Sequence, residues 1–201
     1  MEEIKNSGQG RIFRNPVLEA LTKTSPLITI CTYTPVFALL YYQAYYLEVV
    51  DSFWNGLGIF FCAVFFWTFF EYIMHRYVFH FITDSPLVRK FHYMVHGVHH
   101  EYPRDRERLF MPPAPALLIV ALLFAIFWLI MRQYVYVFLP GFLAGYLMYA
   151  FIHYAIHLPH PPRFLKSVYR HHALHHYKYP DKAFGVSSPF WDYVFRTLPP
   201  Q

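Results

Sequence analysis

The chain has 201 residues, of which 56% are hydrophobic, 22% aromatic and only 14% charged, with a net charge of +5. Such a chain has too little polar surface to wrap a water-soluble globule, so a bilayer is the expected solvent. Basic residues at membrane edges account for the positive balance, which argues against nucleic acid as a partner.

Residues 1–26 are polar and hold no apolar run, so no cleavable signal peptide is expected. Asn15 before Pro16 predicts a short helix start, with Val17, Leu18 and Leu21 as an apolar face for the membrane surface. Four apolar segments follow, at about 27–47, 53–73, 114–131 and 135–156. Each is near the ~20 residues that cross a ~30 Å hydrocarbon core. Pro35 and Pro140 lie inside two of them, which membrane helices tolerate. Short connections at 48–52 and 132–134 predict two helical hairpins. Cys31 and Cys62 fall in these segments and read as buried thiols.

Four crossings put the N-terminus, the 74–113 segment and the 157–201 segment on one side. Of 17 Lys and Arg, 16 lie there and only Arg132 lies in an opposite loop. The positive-inside rule makes that side cytoplasmic, with both termini on it, in a bacterial inner membrane or the endoplasmic reticulum. The fold expected is therefore an all-α integral membrane protein. A cytosolic cap of 74–113 and 157–201 sits on spans that begin at residue 27.

That cap is rich in histidine. His75 and His80 form H-x4-H; His96, His99 and His100 form H-x2-HH. His153 and His157 form H-x3-H; His172, His175 and His176 repeat H-x2-HH. Residues three and four apart share a helix face, so each of the last three clusters can aim its imidazoles at one point. His75 and His80 stand about 140° apart on an ideal helix and need a distortion between them if both are ligands. Ten imidazoles exceed one ion's needs, which predicts two metal ions; imidazole suits zinc, iron, copper or nickel. Glu71, one turn before His75, is a candidate to orient it, with Asp105 and Asp192 as further acids that could instead cap helices or pair with arginines. His92, His160 and His171 fall outside the spacing; His171 competes with His172 by one residue of register. A metal transporter would place its ligands nearer the bilayer midplane, and a haem carrier would need only two or four histidines.

Around these histidines the sequence resembles the membrane fatty acid hydroxylase superfamily, more narrowly its fatty acid 2-hydroxylase (sphingolipid α-hydroxylase) branch. The resemblance runs from about 71 to 198, through "EYIMHRYVFH", "HYMVHGVHHEYPRDRERLFMPP", "GYLMYAFIHYAIH" and "RHHALHHYKYPDKAFGVSSPFWDYVFRTL". The histidine boxes alone mark the superfamily, which also holds sterol and carotenoid enzymes. The run Pro103-x-Asp105-x-x-Arg108-Leu109-x-x-Pro112-Pro113 and the late "FGVSS…WDY" are more specific.

The resemblance implies a histidine-rich di-metal site, usually iron with zinc able to substitute, that uses O2 to replace a C–H beside a carboxyl or amide carbonyl with C–OH. Its substrate would be a fatty acid or the acyl chain of a sphingolipid. The ligands it implies are His75, His80, His96, His99, His100, His153, His157, His172, His175 and His176. Tyr149, His92, His171, Glu71, Asp105 and Asp192 are candidate supports. Arg104, Arg106, Arg108, Tyr154 and Trp191 are candidate substrate contacts. Many members carry a cytochrome b5 domain, for which this sequence has no room. A separate electron donor, cytochrome b5-like or ferredoxin-like, is therefore expected. The family also often has an acid where Ala150 stands.

Overall fold

A computed structural model describes residues 4–200 and, among them, contains helices and turns but no strand. Two compact units are present. One comprises the described residues of Met1–Lys23, Thr68–Leu109 and Tyr149–Gln201; the other comprises Thr24–Trp67 and Phe110–Met148.

The second unit is made from long apolar helices. Helix α2 runs Pro26–Tyr46 and α3 runs Phe53–Ile73. Helix α6 runs Pro113–Met131 and α7 runs Val135–Ile156. Three stretches are long and apolar enough to cross a membrane: Pro26–Tyr46, Phe53–Phe79 and Arg106–Ile156. The last covers 51 residues and contains both α6 and α7. At Arg132 it breaks, with φ at 52° and a tight turn over Arg132–Tyr134. Phe127 of α6 then meets Phe138 and Phe142 of α7, at ring separations of 5.1 and 5.4 Å. Close packing inside this unit rests on small residues, as in membrane helix pairs. A Cβ at Gly141 would stand 2.3 Å from the Phe60 carbonyl oxygen, and one at Gly145 would stand 2.5 Å from Trp67. Large apolar side chains such as Leu118, Leu122, Leu129 and Phe61 point outward, the arrangement a lipid solvent favours. Cys31 and Cys62 are exposed on these outer surfaces rather than buried, because the helices are apolar all round and burial cannot be read from composition.

The first unit carries the short elements. Helix α1 spans Pro16–Ala20, and Asn15 caps it by accepting from the Val17 and Leu18 amides at 2.9 and 3.2 Å. Val17 and Leu21 are each 66% exposed, as an interfacial face requires. After α3 comes a wide π turn, Met74–Phe79. Helix α4 (Pro86–His92) leads through a second π turn, Tyr93–Gly97, into α5 (Val98–Glu101). Helices α8 (Lys166–Tyr177) and α9 (Phe190–Val194) complete the unit.

Residues 5–23 form a strap latched onto this unit. Arg108, its side chain only 2% exposed, bonds the Gly10 carbonyl, Thr22 and Glu19 and lies 3.4 Å from Asp105. Asp105 accepts from the Gly10 amide at 3.1 Å and caps the next turn through Glu107. The specific Pro103–Pro113 run thus anchors the N-terminal strap: Asp105 and Arg108 are committed to each other and to residues 10–22. Asp105 bonds the strap and not a histidine among the described residues, and the Arg108 guanidinium is buried against the strap.

Candidate metal centre

Ten histidines collect into two groups of five, within each of which the candidate ligand atoms lie no more than 4.8 Å apart. Group A is His75, His80, His96, His100 and His175; group B is His99, His153, His157, His172 and His176. The assembly follows a rule. Each group takes one pair from a helix exit, His75 with His80 or His153 with His157. Each also takes the outer pair of one H-x2-HH segment and the middle histidine of the other. So His96 and His100 join A while His99 joins B; His172 and His176 join B while His175 joins A. The expectation that each triplet converges on one point is corrected here. In a helix, positions i and i+4 lie 40° apart on one side, and i+3 falls 60° to the other, toward a second centre.

The first pair needs the π turn. The His80 amide donates to the His75 carbonyl at 3.2 Å, five residues back, so the backbone is locally wider than an α-helix. That widening rotates His80 back over His75, and their Nε2 atoms stand 3.3 Å apart. His153 and His157, four apart on regular α7, reach 3.2 Å without it.

In group A, Nε2 of His96 lies 3.1 Å from His75, 3.1 Å from His80 and 2.8 Å from His100, which is 3.2 Å from His175. In group B, His99, His153, His172 and His176 form a closed ring of Nε2 contacts of 3.0, 3.1, 2.9 and 3.1 Å. His157 caps the ring at His153 and His172. Two nitrogens each about 2.1 Å from one ion and at right angles to each other stand about 3.0 Å apart. The donor set therefore fits one ion per group.

Electrostatics support the fit. Burial, reinforced by neighbouring imidazoles, holds His96, His99, His100, His172 and His176 well below the usual histidine pKa. Burial also lowers His80 to about 2 and His175 to about 4. Neutral rings with lone pairs facing each other at 3 Å repel, and protons are disfavoured there, so a metal cation is the natural counter-charge.

Supports differ between the groups. His75 Nδ1 donates to the Phe184 carbonyl at 2.5 Å, and His175 Nδ1 to the Lys182 carbonyl at 2.7 Å. Such bonds fix the tautomer that leaves Nε2 free for metal. Both acceptors lie on an irregular strap, residues 182–187, which two buried acids hold. Asp192 accepts from the Phe184 and Gly185 amides at 2.9 and 2.8 Å. Glu71 accepts from the Val186 and Ser187 amides at 2.7 and 2.9 Å and from the Ser187 hydroxyl. Burial raises the Asp192 carboxyl, but His171 at 2.9 Å, Thr197 and those amides outweigh it and hold it below its ordinary value. Gly185 is required: a Cβ there would stand 2.2 Å from the Ser188 carbonyl oxygen.

Glu71 does not bond His75; it acts one step away, through the strap. His171 goes to Asp192, and His172 takes the place in group B. His92 packs beside Gly97, within 3.0 Å of where a Cβ there would lie. Tyr149 stacks on His153 at 5.6 Å. The two carbonyl acceptors were missed, since backbone oxygens carry no sequence signal; "FGVSS", with its one glycine, was the available trace. A pocket of about 240 Å³ adjoins group B, lined by His157, His172 and His176 with Arg104, Tyr169 and Asn6 among others. Of the five candidate substrate contacts, Arg104 alone lines it. Arg106 is exposed and Tyr154 half-buried on α7. The Trp191 indole bonds Thr68 at 3.0 Å and packs on Phe69, a structural role.

Long apolar helices and a two-part imidazole centre in one chain define a membrane-type protein suited to binding metal ions. Residues 60–197 match the family described as fatty acid hydroxylase, and the chain belongs to that family. It is 33% identical to the "Fatty acid 2-hydroxylase" of Homo sapiens, over 95% of this chain and 57% of the relative. It is 40% identical to the "Dihydroceramide fatty acyl 2-hydroxylase FAH1" of Arabidopsis thaliana, over 68% of this chain and 59% of the relative. The solved structure described as "Full length scs7p (only hydroxylase domain visible)" superposes with a TM-score of 0.85 at 32% identity, covering 96% of this chain and 74% of that one. The chain spans about half the length of the curated relatives it matches.

Proposed function

We propose that this protein is an O2-dependent di-metal hydroxylase that places a hydroxyl at carbon two of a fatty acid or of the acyl chain of a ceramide-type lipid. The observation that carries the reading is the gathering of ten neutral imidazoles into two five-donor groups, in a chain whose relatives are named for this reaction. His75, His80, His96, His100 and His175 would hold one ion, and His99, His153, His157, His172 and His176 the other. Iron is the expected metal, because an unactivated methylene requires a redox ion with O2, and zinc would bind without turning over. When bound, the metal pair supplies the oxidising power: one oxygen atom of O2 enters the C–H bond, the other leaves as water, and two electrons and two protons are consumed. The two electrons come from a donor of the cytochrome b5 or ferredoxin kind.

The protein's own part is placement. Group B histidines adjoin the pocket, and Arg104 at its wall suits a carboxylate or phosphate on the substrate. Carbon two is then selected because it is the methylene beside the anchored carbonyl.

We read the apolar stretches as four crossings. The 51-residue stretch would extend about 75 Å as one helix, more than twice a ~30 Å core, and its break at Arg132 supports two spans. Both termini and the histidines then face the cytoplasm, as the distribution of Lys and Arg favours. A reporter fused after Gln201 tests the orientation and should appear in the cytoplasm.

Expression in a host that lacks 2-hydroxy fatty acids tests the activity. Mass spectrometry of the hydrolysed lipids should show one added oxygen at carbon two, absent with His172→Ala. No hydroxylated lipid from metal-loaded protein supplied with an electron donor would sink the reading.

A further inference from the structure

The two groups match in donor count but not in what lies behind the donors. In group A, His75 and His175 each give Nδ1–H to a backbone carbonyl of the 182–187 strap. In group B, the Nδ1 atoms of His99, His172 and His176 are buried with no hydrogen-bond partner among the described residues. His153 is the exception in group B, its buried ring lying within bonding reach of the Leu109 backbone, so group B has one backbone-backed ring and three buried rings without a partner. A ring whose outer nitrogen is anchored is held in its ligating tautomer and orientation; an unanchored ring can rotate away from a metal at lower cost. Access differs as well. The 240 Å³ pocket is lined by three group B histidines and none of group A. Group A has two half-buried members, His80 and His100, but its ring planes at His75 and His175 are backed by Phe184, at 5.7 and 5.6 Å.

Resting on the two-metal reading above, we infer that the positions are inequivalent: group A holds a slowly released ion, and group B an exchangeable ion reached through the pocket beside Arg104, Tyr169 and Ala173. The pocket is then the route by which a small oxygen-donor ligand, carboxylate or carbonyl, meets the metal. The 182–187 strap, with Glu71 behind it, is a positioning device for group A alone.

The test uses the full chain in detergent, loaded with zinc so that no turnover intervenes, then mixed with excess EDTA. Retained zinc is followed over time by plasma mass spectrometry. Release should occur in two phases of equal amplitude, separated by at least about tenfold in rate. Ser187→Ala removes one bond to Glu71 and should speed the slow phase by roughly 10–100-fold, leaving the fast phase in place. Ala173→Leu narrows the pocket and should slow the fast phase without touching the slow one. Glu71→Gln disturbs a buried site and risks misfolding, which is why the milder Ser187→Ala is the deciding variant. A single release phase, or a Ser187→Ala effect on the fast phase or on neither, overturns the inference. Single-phase release from a chain that still makes 2-hydroxy lipid leaves the catalytic reading standing. Two-phase release from a chain that makes none does the reverse.

Discussion

His75 with His80 and His153 with His157 occupy equivalent places in the two groups, yet they are built differently. One pair is five residues apart on a π turn; the other is four apart on a regular α-helix. Their Nε2 separations, 3.3 and 3.2 Å, are nearly the same. The H-x2-HH segments behave alike too, each sending its outer pair to one group and its middle histidine to the other. The centre is therefore close to two-fold in its donors and one-sided in its support. Ligand placement can be met by more than one backbone, because only the ring nitrogen must arrive. Ligand orientation depends on the neighbours of the far nitrogen, and only group A has been given a strap for it.

The largest expected effect tests the two-fold part. His96→Ala and His172→Ala each remove a donor that has several close partners in its own group. Each should lower bound metal from two ions to one per chain. Each should also reduce 2-hydroxy product by more than the roughly 10–100-fold that loss of an orienting partner costs. Metal analysis of the two variants together decides the matter: retention of both ions by either would break the assignment of one ion to each group.

Asp192→Asn probes the one-sided part. An amide cannot accept from the Phe184 and Gly185 amides and from His171 together while its own NH2 points at one of them. The strap should loosen, and affinity for one of the two ions should fall about 10–100-fold while the other is kept. Titration with zinc and a competing chelator reads both constants. Equal weakening of both would show that the strap serves the whole centre. Gly185→Ala acts on the same strap through backbone strain. Its methyl must displace the Ser188 backbone, a strain of about 1–3 kcal/mol, which should appear as a lower thermal midpoint of the whole chain. An unchanged midpoint would mean that the strap yields freely and cannot orient His75.

Much of this was legible in the sequence, for a physical reason. Apolar length and the spacing of histidines are local properties, so the apolar helices and the ten-imidazole set follow from counting. The need for a distortion between His75 and His80 also follows, from the 100° step of an α-helix, and the π turn supplies it. The partition of the triplets was not legible. Whether His99 joins His96 or His172 depends on where another helix lies, and spacing within one helix cannot say. Asp105 takes the capping and arginine-pairing role that its type allows, Arg108 holds the strap instead of a substrate, and Glu71 acts one step further from the histidines than its spacing to His75 suggests. Buried acids and arginines mark any fixed point of a fold, and these fix straps instead of ligands.

The smallest expected effect supplies a control, because the N-terminal strap is tied to residues that follow a histidine of each group. Lys5 pairs with Glu101, the residue after His100, and Asn6 accepts from Tyr177, the residue after His176. The same strap is held by Glu19 and by Glu107, which Lys23 bridges. Burial raises the Glu19 carboxyl, but the Phe13 and Ile12 amides and Arg108 outweigh it and set it below its model-compound value of 4.5. Glu101 is lowered likewise, with Lys5 and Tyr93 overcoming burial, and Glu107 is lowered chiefly by Lys23. A carboxylate with a depressed folded pKa binds fewer protons in the folded state, so its contribution is complete above about 4.5 and is lost as pH falls below that. Solvent screening keeps each exposed pair weak. Amide hydrogen exchange over residues 5–23, corrected for intrinsic rates, should thus stay level from about pH 7 to about pH 5 and lose several-fold protection near pH 4. Loss of protection already near pH 6 would place histidines, not carboxylates, in control of the strap. Lys5→Ala should in turn shift the release of both ions alike or not at all; a change confined to one ion would make the strap a second source of the asymmetry now attributed to residues 182–187.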